Sequence, residues 1–207
     1  MLSSRPTLAQ HLLPQVHPVV RGAMLAVLGS VLLALCARVS FFLPWNLLVP
    51  VTMQTFGVLL LGALYGPRLG AATMLLYLAE GLAGLPVFSA GRSAWSPSSI
   101  PGVPLILGPT AGYLLSYPLA AALVGLLAAR GWDRSVRSAV PAMLLGNVVI
   151  LLCGFVWLAA ATALLTGTVN ITALLGAAVM PFLPGDAVKL LLAALALPGG
   201  WALLRRN

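Results

Sequence analysis

Long, unbroken runs of apolar residues fill this chain of 207 residues. The runs do not alternate polar with apolar side chains; 61% of all residues are hydrophobic and only 7% are charged. A water-soluble domain of this size has too little interior for so much apolar surface. Hydrocarbon admits only helices and closed barrels, because every backbone polar group must find a partner there. The sequence therefore predicts an all-α membrane protein without a separate soluble domain.

Prolines, glycines and short polar turns divide the apolar sequence into six predicted transmembrane helices. The predicted spans are 22–43, 47–65, 69–85, 108–129, 139–165 and 186–204. Residues 1–20 lack a charged segment followed by an uninterrupted apolar core, so they are expected to be a cytoplasmic leader and not a signal peptide. Residues 21–207 are then a single transmembrane domain.

The basic residues indicate how these spans are oriented. Six spans place most of the Lys and Arg residues on one side of the membrane: Arg5, Arg21, Arg68, Arg130, Arg134, Arg137, Arg205 and Arg206. Arg92 lies in a loop on the other side, and Arg38 and Lys189 lie within spans. Short cytoplasmic loops collect basic residues, so both termini are predicted to be cytoplasmic. Topology explains these charges, and no nucleic acid partner is expected.

Asp186 and Lys189 are unusual residues at the head of the last span. Pro184 and Gly185 interrupt the preceding segment, and an Asp suits the first turn of a helix. At i and i+3 the two side chains project from one face. A charge at mid-membrane costs about 2.5–3.5 kcal/mol on insertion scales, which makes such residues functional candidates. A helix cap beside a lysine that reaches the headgroups is the structural alternative.

Three more ionisable groups are predicted at the same outward depth. Arg38 ends the first span, Glu80 lies beyond the middle of the third, and Arg92 lies in the long polar segment 89–107. We expect the five groups to border one cavity that opens outward beneath this segment. Lys189 and Arg92 suit a ligand carboxylate, whereas Asp186 suits N–H donors. An Arg38–Glu80 ion pair that joins two helices is the structural alternative. Neutral candidates for ligand hydrogen bonds are Thr52, Gln54, Tyr113 and Asn147.

Five short blocks occur in order along the chain. They begin at Pro50, Gly66, Gly84, Gly108 and Phe182, and they read PVTMQTF, GPRLG, GLPVF, GPTAGY and FLPGDAVK. Together they resemble the BioY family, the biotin-specific substrate-binding (S) components of energy-coupling factor (ECF) transporters. The resemblance covers residues 21–195 and implies a six-helix S-component bundle in a bacterial cell membrane. It also implies that Asp186 and Lys189 contact biotin.

The same resemblance implies protein partners. The chain has no G-x-x-x-x-G-K-[ST] motif for ATP, so two ATPase subunits and a membrane coupling protein are expected to drive delivery of the vitamin inward. S components carry an A-x-x-x-A motif on the first helix for docking the coupling protein, and Gly22 and Ala26 occupy that place. Membrane lipid is expected around the bundle, and a homo-oligomer stays open.

An intramembrane enzyme and an ion pathway are the alternatives from other functional classes. An aspartyl protease needs a second carboxylate beside Asp186, but Asp133 is predicted in a cytoplasmic loop. Both histidines lie in the leader, and no cluster of His, Cys and carboxylates suggests a metal site. No enzymatic activity and no cofactor are therefore expected. An ion pathway through Glu80, Asp186 and Lys189 would need polar groups that continue inward, which the sequence does not provide.

Overall fold

The computed structural model of the chain describes residues 17–44 and 46–204. Within this part the elements are helices α1 (Pro18–Arg38), α2 (Gln54–Leu82), α3 (Ala111–Ala129), α4 (Val136–Thr166), α5 (Ile171–Ala178) and α6 (Leu183–Leu204), with strands β1 (Ser40–Leu43) and β2 (Asn46–Thr52) between α1 and α2. The protein is thus mostly helical, as predicted. Residues 1–16 of the predicted leader lie outside the described residues, and α1 already begins at Pro18.

Helix α2 folds back on itself at Gly66. The backbone leaves the helical conformation there (φ 79°, ψ 179°), and Pro67 follows. Gln54 and Tyr77 would lie about 34 Å apart in a straight helix at 1.5 Å per residue, yet Gln54 Nε2 lies 2.9 Å from the Tyr77 hydroxyl. The helix therefore consists of two antiparallel arms, 54–65 and 67–82. The turn that the sequence predicted at Gly66 separates them.

Glycines allow the arms of α2 to pack closely on each other and on α3. A Cβ added at Gly70 would lie 3.1 Å from the Gly62 Cα, and one at Gly62 would lie 2.8 Å from the Ala121 carbonyl oxygen. Gly125 lies directly against Gly66. Since real side chains need more room than this, the glycines permit a backbone contact that larger residues would prevent.

The chain enters α2 through a β-hairpin that the sequence analysis did not predict. The predicted spans 22–43 and 47–65 are wrong at this point, because α1 ends at Arg38 and the next helix begins at Gln54. Ser40 pairs with Thr52 and Phe41 with Val51. Aromatic and β-branched residues favour an extended backbone, so the apolar run continues as strand where it was expected to continue as helix.

Apolar side chains cover much of the outside of the bundle. Examples on α1 and α6 that are more than half exposed are Val19, Leu28, Leu35, Val188, Leu191 and Leu195. Helices α1, α3 and residues 136–164 of α4 are each long and apolar enough to cross a membrane, and so is the stretch Gln54–Leu82 when both arms of α2 are counted together. Residues Ile171–Ala178 and Leu183–Gly199 meet at 44° and form a further candidate if they are counted as one bent span. The surface thus suits a multi-pass membrane protein.

The described helices pack side by side, and loops and strands lie at one end of the bundle. Helix α2 contacts α1, α3 and α6, and α4 contacts α3, α5 and α6. The Gly66 turn meets α3 at Gly125, about 18 Å along the helix from Tyr113. Arg68 and the basic loop 130–137 therefore lie at the end of the bundle far from Tyr113. The β-hairpin and the segment 83–110 lie near the start of α3.

Candidate ligand-binding site

A partly open cavity lies at the end of the bundle where α2, α3 and α6 begin. The empty space of the cavity, counted together with the open space at its mouth, is about 530 Å³. Most of its wall is apolar. The wall is formed by Val49, Pro50, Thr52, Gln54, Thr55, Phe88, Ser89, Leu105, Thr110, Tyr113, Leu114, Tyr117, Ile150, Leu151, Phe182, Asp186 and Lys189.

Asp186 and Lys189 form a buried ion pair in this wall. Lys189 Nζ lies 3.1 Å from Asp186 Oδ1, and the two side chains are only 8% and 3% exposed. Asn147 Nδ2 donates to the other carboxylate oxygen over 3.0 Å, and Lys189 Nζ also donates to Thr55 Oγ1 over 3.3 Å. A buried carboxylate stays charged only if it has such partners. The contacts therefore fix the orientation of the Asp186 carboxylate.

The ion pair retains hydrogen-bonding capacity for a ligand. Each carboxylate oxygen accepts two hydrogen bonds, and Asp186 uses one at each oxygen. The Lys189 ammonium has three N–H groups, of which two are used. The site thus offers strong acceptors and a single spare cationic donor beside apolar walls. This combination suits a small, mostly apolar molecule that carries N–H groups next to a carbonyl group.

Gln54 lies at the start of α2 and is 3% exposed. Its backbone N–H donates to Thr52 Oγ1 over 3.2 Å, which satisfies one donor of the first helical turn. Its side-chain Nε2 donates to the Tyr77 hydroxyl, which in turn donates to the Val87 carbonyl oxygen over 2.7 Å. The side chain is therefore fixed from the second arm of α2 and from the segment above the cavity. Its Oε1 has no hydrogen-bond partner among the described residues and is left as an acceptor.

Tyr113 presents its ring, and not its hydroxyl, to the cavity. The hydroxyl donates to the Ala178 carbonyl oxygen over 2.6 Å, and the ring centre lies 5.8 Å from that of Phe182. The ring also packs against Gly154, where a Cβ would collide with it. Tyr113 thus ties the end of α5 to α3 and supplies apolar wall. Its hydroxyl could donate to a ligand only if the Ala178 contact broke, but the oxygen can still accept a hydrogen bond.

Arg38, Glu80 and Arg92 are not among the described residues of the cavity wall, so the expectation that all five ionisable groups border it is wrong for these three. Arg38 Nη2 donates to the Pro86 carbonyl oxygen over 3.0 Å, whereas Glu80 Oε1 accepts from Ser30 Oγ over 2.9 Å. The predicted Arg38–Glu80 ion pair is also wrong. Glu80 contacts Ser30, which lies about 12 Å from Arg38 along α1. Glu80 therefore does not form a continuous polar pathway with the Asp186–Lys189 pair of the cavity.

Arg92 stands behind the cavity wall. Its Nε donates to the Ser89 carbonyl oxygen over 3.1 Å, and its Nη2 donates to Ser89 Oγ over 2.9 Å. Ser89 itself lines the cavity. Partial burial lowers the pKa of the Arg92 guanidinium, but an arginine remains protonated at neutral pH. Arg92 therefore places a positive charge near the wall, and its predicted contact with a ligand carboxylate stays a prediction.

Gly22 and Ala26, the predicted docking residues, lie half-buried on α1. A Cβ at Gly22 would meet nothing within 4 Å. Further along the same helix, Gly29 packs against Tyr65 and Thr73 of α2. The glycine in the middle of α1 thus allows close packing against α2, whereas the small residues near the start of the helix leave an open surface. Docking at this surface stays a prediction.

The site also contains groups that the sequence analysis did not select. Tyr117, Ile150 and Phe182 line the cavity, and the candidate Asn147 donates to Asp186, a contact between two helices that was not predicted. The sequence did contain a signal for Tyr117. It lies four residues after the candidate Tyr113, and residues at i and i+4 share one face of a helix. The other contacts join distant segments and have no local pattern.

The fold and the cavity define a helical membrane protein with a candidate small-molecule site at one end of its bundle. The structure is similar to the crystal structure of the S-component for biotin from an ECF-type ABC transporter. The TM-score is 0.72 at 22% sequence identity, over 91% of this chain and 93% of that chain. This similarity confirms the predicted S-component fold.

Sequence comparisons identify the family. The model of the BioY family matches residues 7–206. The probable biotin transporter BioY of Pyrococcus horikoshii is 40% identical over 141 residues, which are 68% of this chain and 74% of that protein. The biotin transporter BioY of Rhodobacter capsulatus is 35% identical over 161 residues, 74% of this chain and 79% of that protein. The chain belongs to the BioY family, as its sequence blocks predicted.

Proposed function

We propose that this chain is the biotin-binding component of a vitamin uptake transporter. It takes biotin from the outer face into the cavity and delivers it inward together with an ATP-driven coupling module. The single observation that carries the proposal is the buried Asp186–Lys189 pair in the wall of a partly open, mostly apolar cavity. Membership of the BioY family supports biotin as the ligand.

The chemistry of the cavity matches the parts of biotin. The ureido ring has two N–H donors, for which Asp186 supplies an ionised acceptor that Asn147 and Lys189 hold in place. The fused rings and the aliphatic chain suit walls such as Phe88, Leu114 and Ile150. Binding needs no bond to be made or broken, so the site requires recognition alone and no catalytic group.

Binding of radiolabelled biotin to the purified protein tests the proposal. The wild type is expected to bind biotin and to unfold at a higher temperature when biotin, but no other vitamin, is added, since a ligand stabilises the state that it binds. Asp186→Asn and Lys189→Ala are each expected to weaken binding by about 1.5–3 kcal/mol, the usual value of a hydrogen bond to a charged group. Unchanged affinity in both variants would show that the ligand binds elsewhere.

The orientation proposed with this function has six membrane passes and both termini in the cytoplasm. Support comes from the two antiparallel arms of α2, which supply separate passes, and from the basic residues at Arg68 and 130–137 near one end. Labelling of single cysteines tests it in a chain without the two native cysteines. Ser99→Cys should react from outside intact cells and Arg137→Cys only after the membrane is opened. The opposite pattern would reverse the orientation.

A further inference from the structure

Tyr117 is a tyrosine of the cavity wall to which no role has been assigned. It lies on α3 one turn after Tyr113 and is only 3% exposed. Its side chain lines the cavity beside Asp186, close enough for the two groups to interact electrostatically. Among residues 17–44 and 46–204, no hydrogen bond joins its hydroxyl to another residue.

The neighbouring tyrosines differ from Tyr117 in this respect. The Tyr77 hydroxyl donates to the Val87 carbonyl oxygen over 2.7 Å, and the Tyr113 hydroxyl donates to the Ala178 carbonyl oxygen over 2.6 Å. A buried hydroxyl group normally has such a partner, because water no longer supplies one. Two of the three tyrosine hydroxyls therefore have a hydrogen-bond partner within the fold. The Tyr117 hydroxyl can find a partner only in the cavity.

The polar groups around Tyr117 determine which ligand atom it can serve. Asp186 and Gln54 Oε1 are acceptors with remaining capacity, and both suit N–H groups of a ligand. Lys189 has already directed two of its three N–H groups to Asp186 and Thr55. This part of the wall thus retains several acceptor positions, while Lys189 keeps one N–H donor. A ligand carbonyl oxygen placed here needs a donor, and the Tyr117 hydroxyl is one.

We propose that the Tyr117 hydroxyl donates a hydrogen bond to the carbonyl oxygen of the ureido ring and so helps to select a cyclic urea as the ligand. The proposal rests on the proposed function, in which the N–H groups of that ring face Asp186. It assigns Tyr117 a part in specificity that is separate from the ion pair. A ligand without a good acceptor at the carbonyl position gains nothing from the hydroxyl.

Binding of two ligands to two variants tests this role. Tyr117→Phe removes only the hydroxyl, and 2-thiobiotin replaces the ureido oxygen with sulfur, a weak acceptor. We expect Tyr117→Phe to bind biotin about tenfold more weakly than the wild type, the typical effect of one uncharged hydrogen bond. Its affinity for 2-thiobiotin should change less than about threefold. Tyr65→Phe, a half-buried tyrosine outside the cavity wall, is the matched control and should bind both ligands as the wild type does.

The outcomes separate this role from packing and from the proposed function. An equal loss for both ligands, or no loss for either, would overturn the hydrogen bond to the carbonyl group while biotin binding by the wild type stands. Absence of biotin binding by the wild type would overturn both proposals. The infrared stretch of biotin labelled with ¹³C at the ureido carbonyl gives an independent readout. It should move to higher frequency when the wild type is replaced by Tyr117→Phe, and an unchanged frequency would contradict the proposal.

Discussion

Removal of one member of the Asp186–Lys189 pair should destabilise the protein more than removal of both. Lys189→Met keeps the volume of the lysine stem but leaves the Asp186 carboxylate buried with a single hydrogen-bond donor from Asn147. A buried charge without its counterion is costly, whereas replacement of a whole buried pair by uncharged groups is often neutral. The double variant Asp186→Asn/Lys189→Met is therefore expected to be more stable than Lys189→Met alone.

The structure sets the size of this effect. Charges 3.1 Å apart attract each other by about 5 kcal/mol at an effective dielectric constant near 20, and loss of one partner of a buried pair typically costs about 3–5 kcal/mol. A change of 1 kcal/mol shifts the melting temperature of a domain of this size by about 2–4 °C. Lys189→Met should therefore melt roughly 6–20 °C below the wild type without ligand, and the double variant should recover most of this difference.

Thermal unfolding in detergent, followed by tryptophan fluorescence, measures the three melting temperatures. Biotin binding supplies the second readout, because both variants lose the Lys189 ammonium group and are expected to bind more weakly. Leu191→Met, a substitution on the exposed outer face of α6, is the control for side-chain exchange. Equal melting temperatures of Lys189→Met and the double variant would refute the reasoning, since the unpaired carboxylate would then carry no cost.

Three further substitutions test other parts of the site and surface. Asn147→Leu removes the donor to Asp186 Oδ2 and should weaken biotin binding about 10- to 100-fold in a radioligand assay; an unchanged affinity would contradict a positioning role. Glu80→Gln should leave biotin affinity within about twofold of the wild type, because Glu80 contacts Ser30 outside the cavity; a large loss would return it to the site. Gly22→Leu should lower ATP-driven uptake in cells that contain the coupling proteins while biotin binding in detergent persists, and normal uptake would argue against docking there.

The membrane class and the turn of α2 could be predicted because they depend on local sequence. Unbroken apolar runs require a membrane or a very large core, and the Gly66-Pro67 pair cannot continue a regular helix. The β-hairpin 40–52 could not be predicted from the same runs. Hydropathy measures the preference of a segment for an apolar environment, but it does not distinguish a helix from strands that pair with each other.

The candidate site was predictable where two functional residues lie on one helical turn. Asp186 and Lys189 share a face of α6 because they are three residues apart, and their burial follows from the apolar sequence around them. Arg38 and Glu80 were misplaced because depth in the membrane says nothing about the direction in which a side chain leaves its helix. The contact between Asn147 and Asp186 joins α4 to α6 across 39 positions, and no local pattern specifies it.

The hydrogen bonds from Gln54 through Tyr77 to Val87 link the floor of the cavity to its cover. Val87 belongs to the segment that passes over the site, so a displacement of that segment pulls on the acceptor that holds the tyrosine and, through it, the glutamine amide. The position of Val87 and the orientation of the Gln54 amide are therefore coupled through Tyr77. A shift of Val87 would change where the Gln54 carbonyl oxygen lies in the cavity.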